Sequence, residues 1–376
     1  MLKLVQEIKE EGLKNVINKY GLIVRYIDDK VLLKYHAIDS IPYKYVDACR
    51  EARGIILELN TWKVYSFGFR RFFNLNEVED HGFNWQSFDV LKKKDGSLIS
   101  LYWDWYNEMW QAATTGTIYG DAQLDENGIT FRELFWNTVD IDTTKLNKDY
   151  VYNFELCTPF NQVVVYHSDA HVSLLSVKDR TEIDNGSFGE LSRSTVESIA
   201  ESIGVDVVEK YSFTSKEELI TFVLNENGAK FEGVVLVDNN FNRIKLKNPD
   251  YCLLHHNMTN INDVALFKIL LTGEGDEVIA NFPHLKDRLD VFDLSLKAFK
   301  KFVVLFIEIY KRLTYLEKAE FYSYWLKDRK YLSVMNGVAE RIVWGDLPIE
   351  ALNDEFLSLE KNDLKRLIKH LDSHFH

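Results

Sequence analysis

The sequence contains little cysteine and little proline, and it lacks any long apolar run. Its 376 residues include 3 cysteines and 5 prolines. The cysteines are odd in number, widely spaced and without a Cys-x-x-Cys pair, which excludes a disulfide framework and a cysteine-rich zinc motif. No apolar run approaches the roughly 20 residues of a membrane-spanning helix, and the N-terminus begins as a charged amphipathic helix, unlike a signal peptide. We therefore expect a cytoplasmic protein without a membrane partner.

An excess of positive charge is also missing. The chain has 58 acidic and 45 basic residues, which gives a formal net charge of −13. Non-specific nucleic-acid binding depends on many cationic contacts to phosphate, so this composition argues against a protein that coats nucleic acid. A focused cationic patch is compatible with it, and the candidates are Arg70–Arg71, Lys92–Lys94 and Arg243–Lys247. The hydrophobic content of 46% is sufficient for the core of a folded chain of two domains.

The segment Phe88–Ser100 combines two β-rich runs with an Asp-Gly turn between them. We predict a hairpin at the edge of an active site. Because side chains alternate between the faces of a strand, Lys93 is expected on the face opposite to Lys92 and Lys94. A Lys-x-Asp-Gly motif occurs by chance in roughly one chain in ten of this length. Taken alone, the segment is therefore interpreted as a lysine-rich surface strand.

Two carboxylates and one arginine lie in strongly apolar strand patterns. Glu155 shares a strand face with Asn153, and Glu232 begins the apolar run that ends at Val237. An unpaired carboxylate is costly to bury, so Glu155 requires a partner. Arg53 precedes another apolar strand, where a surface ion pair is the usual role of an arginine.

A run of cations follows soon after Glu232 in the sequence. Period two places Arg243, Lys245 and Lys247 on one face of a strand. Such a face usually belongs to a solvated edge strand. One hairpin away from Glu232, it favours an anion-binding floor.

The strand patterns stop after about residue 255. Helix-spaced apolar positions recur over residues 263–271, 289–316, 318–334 and 354–375. Before that point, helices are predicted only over 2–19, 128–139, 194–203 and 215–224, between strands that include 98–118. We predict an α+β fold, with an antiparallel-sheet domain over residues 1–255 and an all-α domain over residues 256–376.

Four segments taken together resemble the motifs of the covalent nucleotidyltransferases, which are the polynucleotide ligases and capping enzymes. They are Lys93-Lys-Asp-Gly-Ser, Asn153-Phe-Glu-Leu, Phe231-Glu-Gly-Val-Val and Lys245-Leu-Lys, in that order. Within this superfamily, Arg53-Gly-Ile, the segment Phe72–Glu77 and the helical tail resemble the T-even phage RNA ligases of the tRNA-repair type. The motifs cover about residues 30 to 280, and the tail is similar only in helical character.

The resemblance implies an ATP-dependent RNA ligase. Lys93 would attack the α-phosphate of ATP to form a lysyl-AMP, AMP would pass to an RNA 5′-phosphate, and a 3′-hydroxyl would displace it. A free lysine has a pKa of roughly 10.4 and is a poor nucleophile at neutral pH. Nearby cations, a metal or desolvation must therefore disfavour its charged form. The implied cofactors are ATP and Mg²⁺, with Mn²⁺ as a substitute. The implied partner is single-stranded or nicked RNA, above all tRNA, bound by a monomer in the cytoplasm of an infected host cell.

The resemblance also implies roles for individual residues. The ATP-binding set would be Tyr35, Arg53, Arg71, Lys93, Glu155, Glu232, Lys245 and Lys247. In this set Tyr35 would lie beside adenosine, Arg53 and Arg71 would reach the β and γ phosphates, and Glu155 would hold the ribose. Glu232 would support the metal or phosphate site, and the two lysines would contact phosphates.

Asp276 and Glu277 match a metal-binding pair, although acidic residues are also common where a helix begins, because of the helix dipole.

Two positions depart from the family pattern. Arg71 stands where the family has lysine, which keeps the charge and changes its geometry. Thr115 stands where a relative carries a functional lysine. Two alternatives remain open at this stage: a DNA ligase or capping enzyme, which would append an OB-fold in place of helices, and an RNA-binding relative without catalytic activity.

Overall fold

The computed structural model describes residues 1–36, 39–75, 77, 82–124, 128–255, 263–281, 285–312, 356–357, 359 and 361–374. The chain divides into two compact units, Met1–His255 and His256–His376. None of the helices described in either unit is long and apolar enough to cross a membrane.

The described part of the first unit contains the strands of three sheets. In chain order they are β1 Leu22–Ile27, β2 Lys30–Tyr35, β3 Arg53–Glu58, β4 Val64–Ser66, β5 Phe73–Asn74, β6 Phe88–Lys93, β7 Ser97–Asp104, β8 Met109–Ala113, β9 Tyr150–Cys157, β10 His171–Asp179, β11 Asp206–Val207, β12 Lys210–Tyr211, β13 Gly233–Asp238 and β14 Arg243–Lys247. The strand orders are β1-β2-β3-β4, β12-β6-β13-β14-β5 and β11-β10-β9-β7-β8. These three are called the first, the second and the third sheet.

Helices cover the outer faces of these sheets. They are α1 Lys3–Glu11, α2 Leu13–Tyr20, α3 Asp47–Glu51, α4 Phe131–Thr138, α5 Arg180–Asn185, α6 Arg193–Ile203, α7 Lys216–Asn225 and α8 Pro249–His255. The predicted start of α4 is confirmed, because Thr130 and Glu133 form a capping box that satisfies the free N–H groups of the first turn. The helix predicted over residues 2–19 is instead two helices. Gly12, with φ +87°, separates them.

Apolar residues from helices and strands form a separate core against each sheet. Val31 and Ile55 of the first sheet pack with Leu4 and Ile8 of α1. The third sheet packs against α4 and α6, and the second sheet packs against α7. The first and third sheets also pack against each other through Leu32, Ile56 and Tyr102, so their central strands are buried on both faces.

The prediction of antiparallel sheets is correct for most strand pairs and wrong for two short ones. β5 pairs parallel to β14, and β11 pairs parallel to β10. Both are two-residue edge strands that arrive after long connections, so no turn constrains their direction. The strand predicted over residues 98–118 ends at Ala113, and residues 114–118 form a loop.

The predicted hairpin over Phe88–Ser100 is wrong. Lys93 pairs with Gly233 in the second sheet, whereas Ser97 pairs with Leu156 in the third sheet. The chain crosses between two sheets at Lys94–Gly96, and distant residues fix this crossing. The buried carboxylate of Asp95 accepts hydrogen bonds from the N–H groups of Val164 and Val165 and from the Tyr251 hydroxyl, at 2.8, 2.7 and 2.7 Å.

The described residues of the second unit lie mostly in helices. These are α9 Asp263–Leu271, α10 Gly275–Asn281, α11 Lys286–Arg312 and α12 Lys361–His374. They agree with three of the four helical predictions for this region. The fourth, over residues 318–334, lies outside the described residues.

Candidate active site

Three consecutive lysines lie at the end of strand β6, Lys92 and Lys93 within it and Lys94 directly after it, and the alternation of the strand separates them. Lys93 Nζ lies 2.8 Å from Glu232 Oε2. The ammonium groups of Lys92 and Lys94 both contact Glu209 Oε1 instead, at 3.3 and 3.0 Å. Lys93 is therefore distinguished from its two neighbours by its face and by its partner, as the alternation predicts.

Glu232 connects two of the strands in the second sheet. It immediately precedes β13, is only 4% exposed, and its other oxygen lies 3.5 Å from Lys247 Nζ on β14. Gly233 permits this arrangement, because a Cβ at its position would lie 2.2 Å from the carbonyl oxygen of Leu246. One buried carboxylate thus holds two lysines, so its negative charge is not left unpaired.

A cavity of about 530 Å³ opens beside Lys93, and all three sheets contribute to its walls. The volume is typical of a site for a small ligand. Polar and charged lining residues are Lys34, Arg53, Lys92, Lys93, Lys94, Ser97, Thr114, Thr115, Glu155 and Arg243, and the aromatic ones are Phe69, Phe72 and Phe131. A cavity lined by both cations and aromatic rings suits a nucleotide, which combines anionic phosphates with a flat base.

Glu155 faces this cavity from β9, between its cross-strand neighbours Leu98 and Ser173. Burial raises the pKa of its carboxyl to about 7, the positive charges of Lys93 and Arg53 lower it, and the negative charge of Glu232 raises it further. Near neutral pH the carboxyl therefore exists in both forms. It can accept a hydrogen bond from a ligand hydroxyl as a carboxylate, or donate one as an acid.

Arg53 contributes a cation that the described residues leave unpaired. Its Nη1 is buried and has no hydrogen-bond partner in that part of the chain, and its Cζ lies 5.6 Å from the centre of the Phe72 ring. A buried hydrogen-bond donor without a partner destabilises a folded protein, and such donors are usual where a bound ligand supplies the missing acceptor. Arg53 therefore fits an anionic ligand.

Tyr35 and Arg71 contact each other, with the Arg71 Cζ 4.9 Å from the centre of the Tyr35 ring. At this part of β2 the cavity is lined by Lys34, the neighbour of Tyr35 on the opposite strand face. The adenosine and phosphate roles of Tyr35 and Arg71 remain predictions.

Lys245 lies on β14 opposite Val235, which does line the cavity. Asp276 lies on α10, in the second unit, and the side chain of Glu277 falls outside the described part of the chain. The predicted metal pair is therefore untested.

Arg243 does not fit the predicted anion-binding floor, because a carboxylate of the protein already binds its guanidinium. Its guanidinium bonds to both oxygens of Glu190, with Nη1 2.9 Å from Oε2. Lys178 lies 3.5 Å from the same carboxylate. Burial alone would raise the pKa of Glu190, but the charges of Arg243 and Lys178 together hold it below its usual value. The sequence did not indicate Glu190 as the partner of Arg243, because the two residues are far apart along the chain.

Cys157, His167 and His171 form a second group of donor atoms, all within 4.8 Å of one another. The spacing along the sequence is no short metal motif, so the sequence did not indicate it. Burial raises the pKa of the Cys157 thiol to about 12, and both Cys157 Sγ and His167 Nε2 contact the carbonyl oxygen of Asp95, at 3.9 and 2.7 Å. We interpret the group as support for the crossing at Lys94–Gly96.

Comparison with known proteins gives matches of two kinds. Residues 51–251 match the family model described as RNA ligase. The chain is 28% identical over 310 residues to a putative bifunctional polynucleotide kinase/RNA ligase of Autographa californica nuclear polyhedrosis virus, which covers 76% of this chain and 42% of that protein. It is 25% identical over 321 residues to an RNA ligase of Rhodothermus phage RM378, covering 70% and 72% of the two chains. The chain thus spans less than half the length of the baculovirus relative.

Solved structures similar to this chain have TM-scores below 0.5. An archaeal ATP-dependent RNA ligase in its second form has a TM-score of 0.49 at 13% identity, covering 71% of this chain and 68% of that one. A putative ATP-dependent DNA ligase from Aquifex aeolicus has a TM-score of 0.47 at 17% identity, covering 78% and 80%. The assignment therefore depends on the family model, which matches more than half of the chain. The chain belongs to the RNA ligase family of the phage T4 RNA ligase 1 type, within the ATP-dependent nucleotidyltransferase superfamily.

Proposed function

We propose that this member of the family joins RNA 5′-phosphate and 3′-hydroxyl ends through a lysyl-AMP on Lys93 and an RNA-adenylate, in the repair of broken tRNA. The observation that carries the proposal is the position of Lys93. Lys92, Lys93 and Lys94 all line the cavity, and Lys93 is the one that contacts the buried Glu232 and lies close enough to Glu155 to lower the pKa of that carboxyl.

The chemistry would proceed in three balanced steps. Lys93 loses a proton, and its Nζ forms a bond to the α-phosphorus of ATP while the bond to pyrophosphate breaks. An oxygen of the RNA 5′-phosphate then attacks the same phosphorus, the phosphorus–nitrogen bond breaks, and the lysine leaves. Finally the 3′-hydroxyl attacks the RNA 5′-phosphate, AMP leaves, and the hydroxyl proton is lost.

The cavity residues would bind the parts of ATP according to their charge. Glu155 would hold a ribose hydroxyl, the rings of Phe72 and Phe131 would contact the base, and Arg53 would bind phosphate oxygens. Lys247 would reach the α-phosphate from its position beside Glu232. The contacts of Glu155, Phe72, Phe131 and Arg53 follow from the chemistry of each side chain and its place in the cavity wall, and that of Lys247 follows from its position beside Glu232.

Magnesium fits this site, because Mg²⁺ prefers oxygen ligands and is usually bound by one or two carboxylates together with substrate phosphates. The carboxylates near Lys93 are Glu155 and Glu232, and Asp276 with Glu277 is the further pair expected from the resemblance. When bound, the ion would neutralise phosphate charge as pyrophosphate leaves.

The test is incubation with ATP and Mg²⁺ followed by mass spectrometry of peptides. We expect a gain of one AMP on Lys93, no adduct in Lys93→Ala, and an adduct in the matched control Lys92→Ala, whose side chain contacts Glu209. An adduct that persists in Lys93→Ala would refute the assignment of the nucleophile. Sealing of matched RNA and DNA ends then tests the substrate, and a nicked tRNA tests the repair role.

A further inference from the structure

The cations that line the cavity differ in whether a carboxylate neutralises them. Four have a partner within 4.0 Å: Lys93 with Glu232, Lys92 and Lys94 with Glu209, and Arg243 with Glu190. Each of these four cations already contacts a carboxylate of the protein, although each carboxylate is shared by two cations. They define the positions where the protein itself supplies the negative charge.

Lys34 and Arg53 are different. Both line the cavity, and among the residues that the structure describes neither has a carboxylate oxygen within 4.0 Å. The two are cross-strand partners, Lys34 on β2 and Arg53 on β3, beside an irregularity in the register at Leu33 and Lys34. Two unneutralised cations thus lie side by side on the first sheet, and one has a buried donor without a partner. This arrangement fits an anion that the described residues do not supply.

Lys34 also reaches the loop that follows β8. A Cβ placed on Gly116 would lie 3.9 Å from Lys34 Nζ. The loop is held in place, because Thr114 Oγ1 accepts hydrogen bonds from the N–H groups of Gly116 and Thr117. It also lies so close to β3 that a Cβ on Gly54 would be 2.6 Å from the Cα of Thr115. At this point of the cavity wall the loop offers hydroxyl groups, and Lys34 offers the positive charge.

We propose that Lys34 binds the pyrophosphate portion of ATP while AMP is transferred to Lys93. The proposal depends on the proposed function, which places the α-phosphorus at Lys93 Nζ. The bond to pyrophosphate breaks as the bond to Nζ forms, and negative charge grows on the leaving group. The two unneutralised cations, Lys34 and Arg53, stabilise that charge, and Lys34 acts from strand β2 in place of any cation on the loop.

The test separates self-adenylation, which releases pyrophosphate, from sealing, which releases AMP. Lys34→Ala is compared with Arg25→Ala, which removes one charge from an exposed position on the same hairpin. We expect kcat/KM for self-adenylation to fall about 30-fold in Lys34→Ala and to change less than about 2-fold in Arg25→Ala. Sealing of chemically pre-adenylated RNA, which uses no ATP and releases AMP in place of pyrophosphate, is expected to be equal in both variants and the parent protein.

A second variant tests the location of the charge. Lys34→Thr combined with Thr115→Lys moves the lysine to the facing loop, and we expect it to recover at least about 5-fold of the activity that Lys34→Thr loses. No recovery, equal losses on pre-adenylated RNA, or unchanged self-adenylation in Lys34→Ala would each overturn the proposal. These outcomes presuppose an adduct in the parent protein. Its absence would instead refute the proposed function.

Discussion

We expect the buried Glu155 to lower the free energy of unfolding by an amount that depends on pH. Burial first, with a further contribution from Glu232, raises the pKa of the folded-state carboxyl from 4.5 to about 7. The unfolded chain releases the proton near pH 4.5, whereas the folded protein keeps it until about pH 7. Between these values the folded state binds the extra proton, so the stability due to this group is present at low pH and is lost as pH rises.

The magnitude follows from the shift. A difference of roughly 2.5 pKa units corresponds to about 3 kcal/mol, lost mostly between pH 4.5 and 7 and constant above pH 8. The isosteric variant Glu155→Gln has no proton to lose at this position. We therefore expect the difference in unfolding free energy, variant minus parent, to increase by about 3 kcal/mol between pH 4.5 and pH 8.

The assay is urea unfolding of the two proteins at both pH values, with the difference taken at each. Titrating groups that do not interact with Glu155 contribute equally to parent and variant and cancel. The same variant is expected to lose most self-adenylation at pH 8, where the carboxylate would hold the ribose, so stability and activity change in opposite directions. A variant-minus-parent difference that is the same at pH 4.5 and pH 8 would refute the raised pKa.

Three further predictions concern Glu232, Gly96 and the C-terminal residues. Glu232→Gln is expected to lower self-adenylation at least about 100-fold, because Lys93 loses its positioning partner, while the melting temperature stays within about 4 °C; a larger fall would indicate a structural role. Gly96→Ala is expected to destabilise the fold by about 2–3 kcal/mol in urea unfolding, because its Cβ would lie 2.4 Å from the carbonyl oxygen of Leu156; an unchanged midpoint would contradict this. A chain shortened to residues 1–281 is expected to form lysyl-AMP and seal linear RNA but to lose preference for a nicked tRNA, and equal losses on both substrates would argue against a role in RNA choice.

Strand patterns predicted the local geometry well, because period two is a property of the chain itself. The separation of Lys93 from Lys92 and Lys94 follows from it. The Asp-Gly turn was different. A turn sequence specifies a bend, but the sheet that the next strand joins depends on contacts such as those of Asp95 with Val164.

Partners distant in sequence explain what was missed at the site. Three cations at period two on β14 predicted an anion-binding face, but Arg243 there pairs with a buried glutamate that follows a different strand. Lys34 was overlooked for the converse reason, since nothing in Lys30–Tyr35 distinguishes it from an ordinary strand lysine. Its importance depends on which carboxylates are absent around it among the described residues, and a sequence does not show this.

The same distribution of partners suggests how Lys92, Lys93 and Lys94 can respond differently to one ligand. Lys92 and Lys94 share Glu209, whose side chain is 47% exposed, so water can solvate that cluster whether or not ATP is bound. Lys93 shares the buried Glu232 with Lys247. A phosphate that enters beside Lys247 would compete with Glu232 for this lysine and loosen its hold on the carboxylate. Because Glu232 is buried, it would then interact more strongly with Lys93, which would stay in position while the α-phosphorus approaches Nζ.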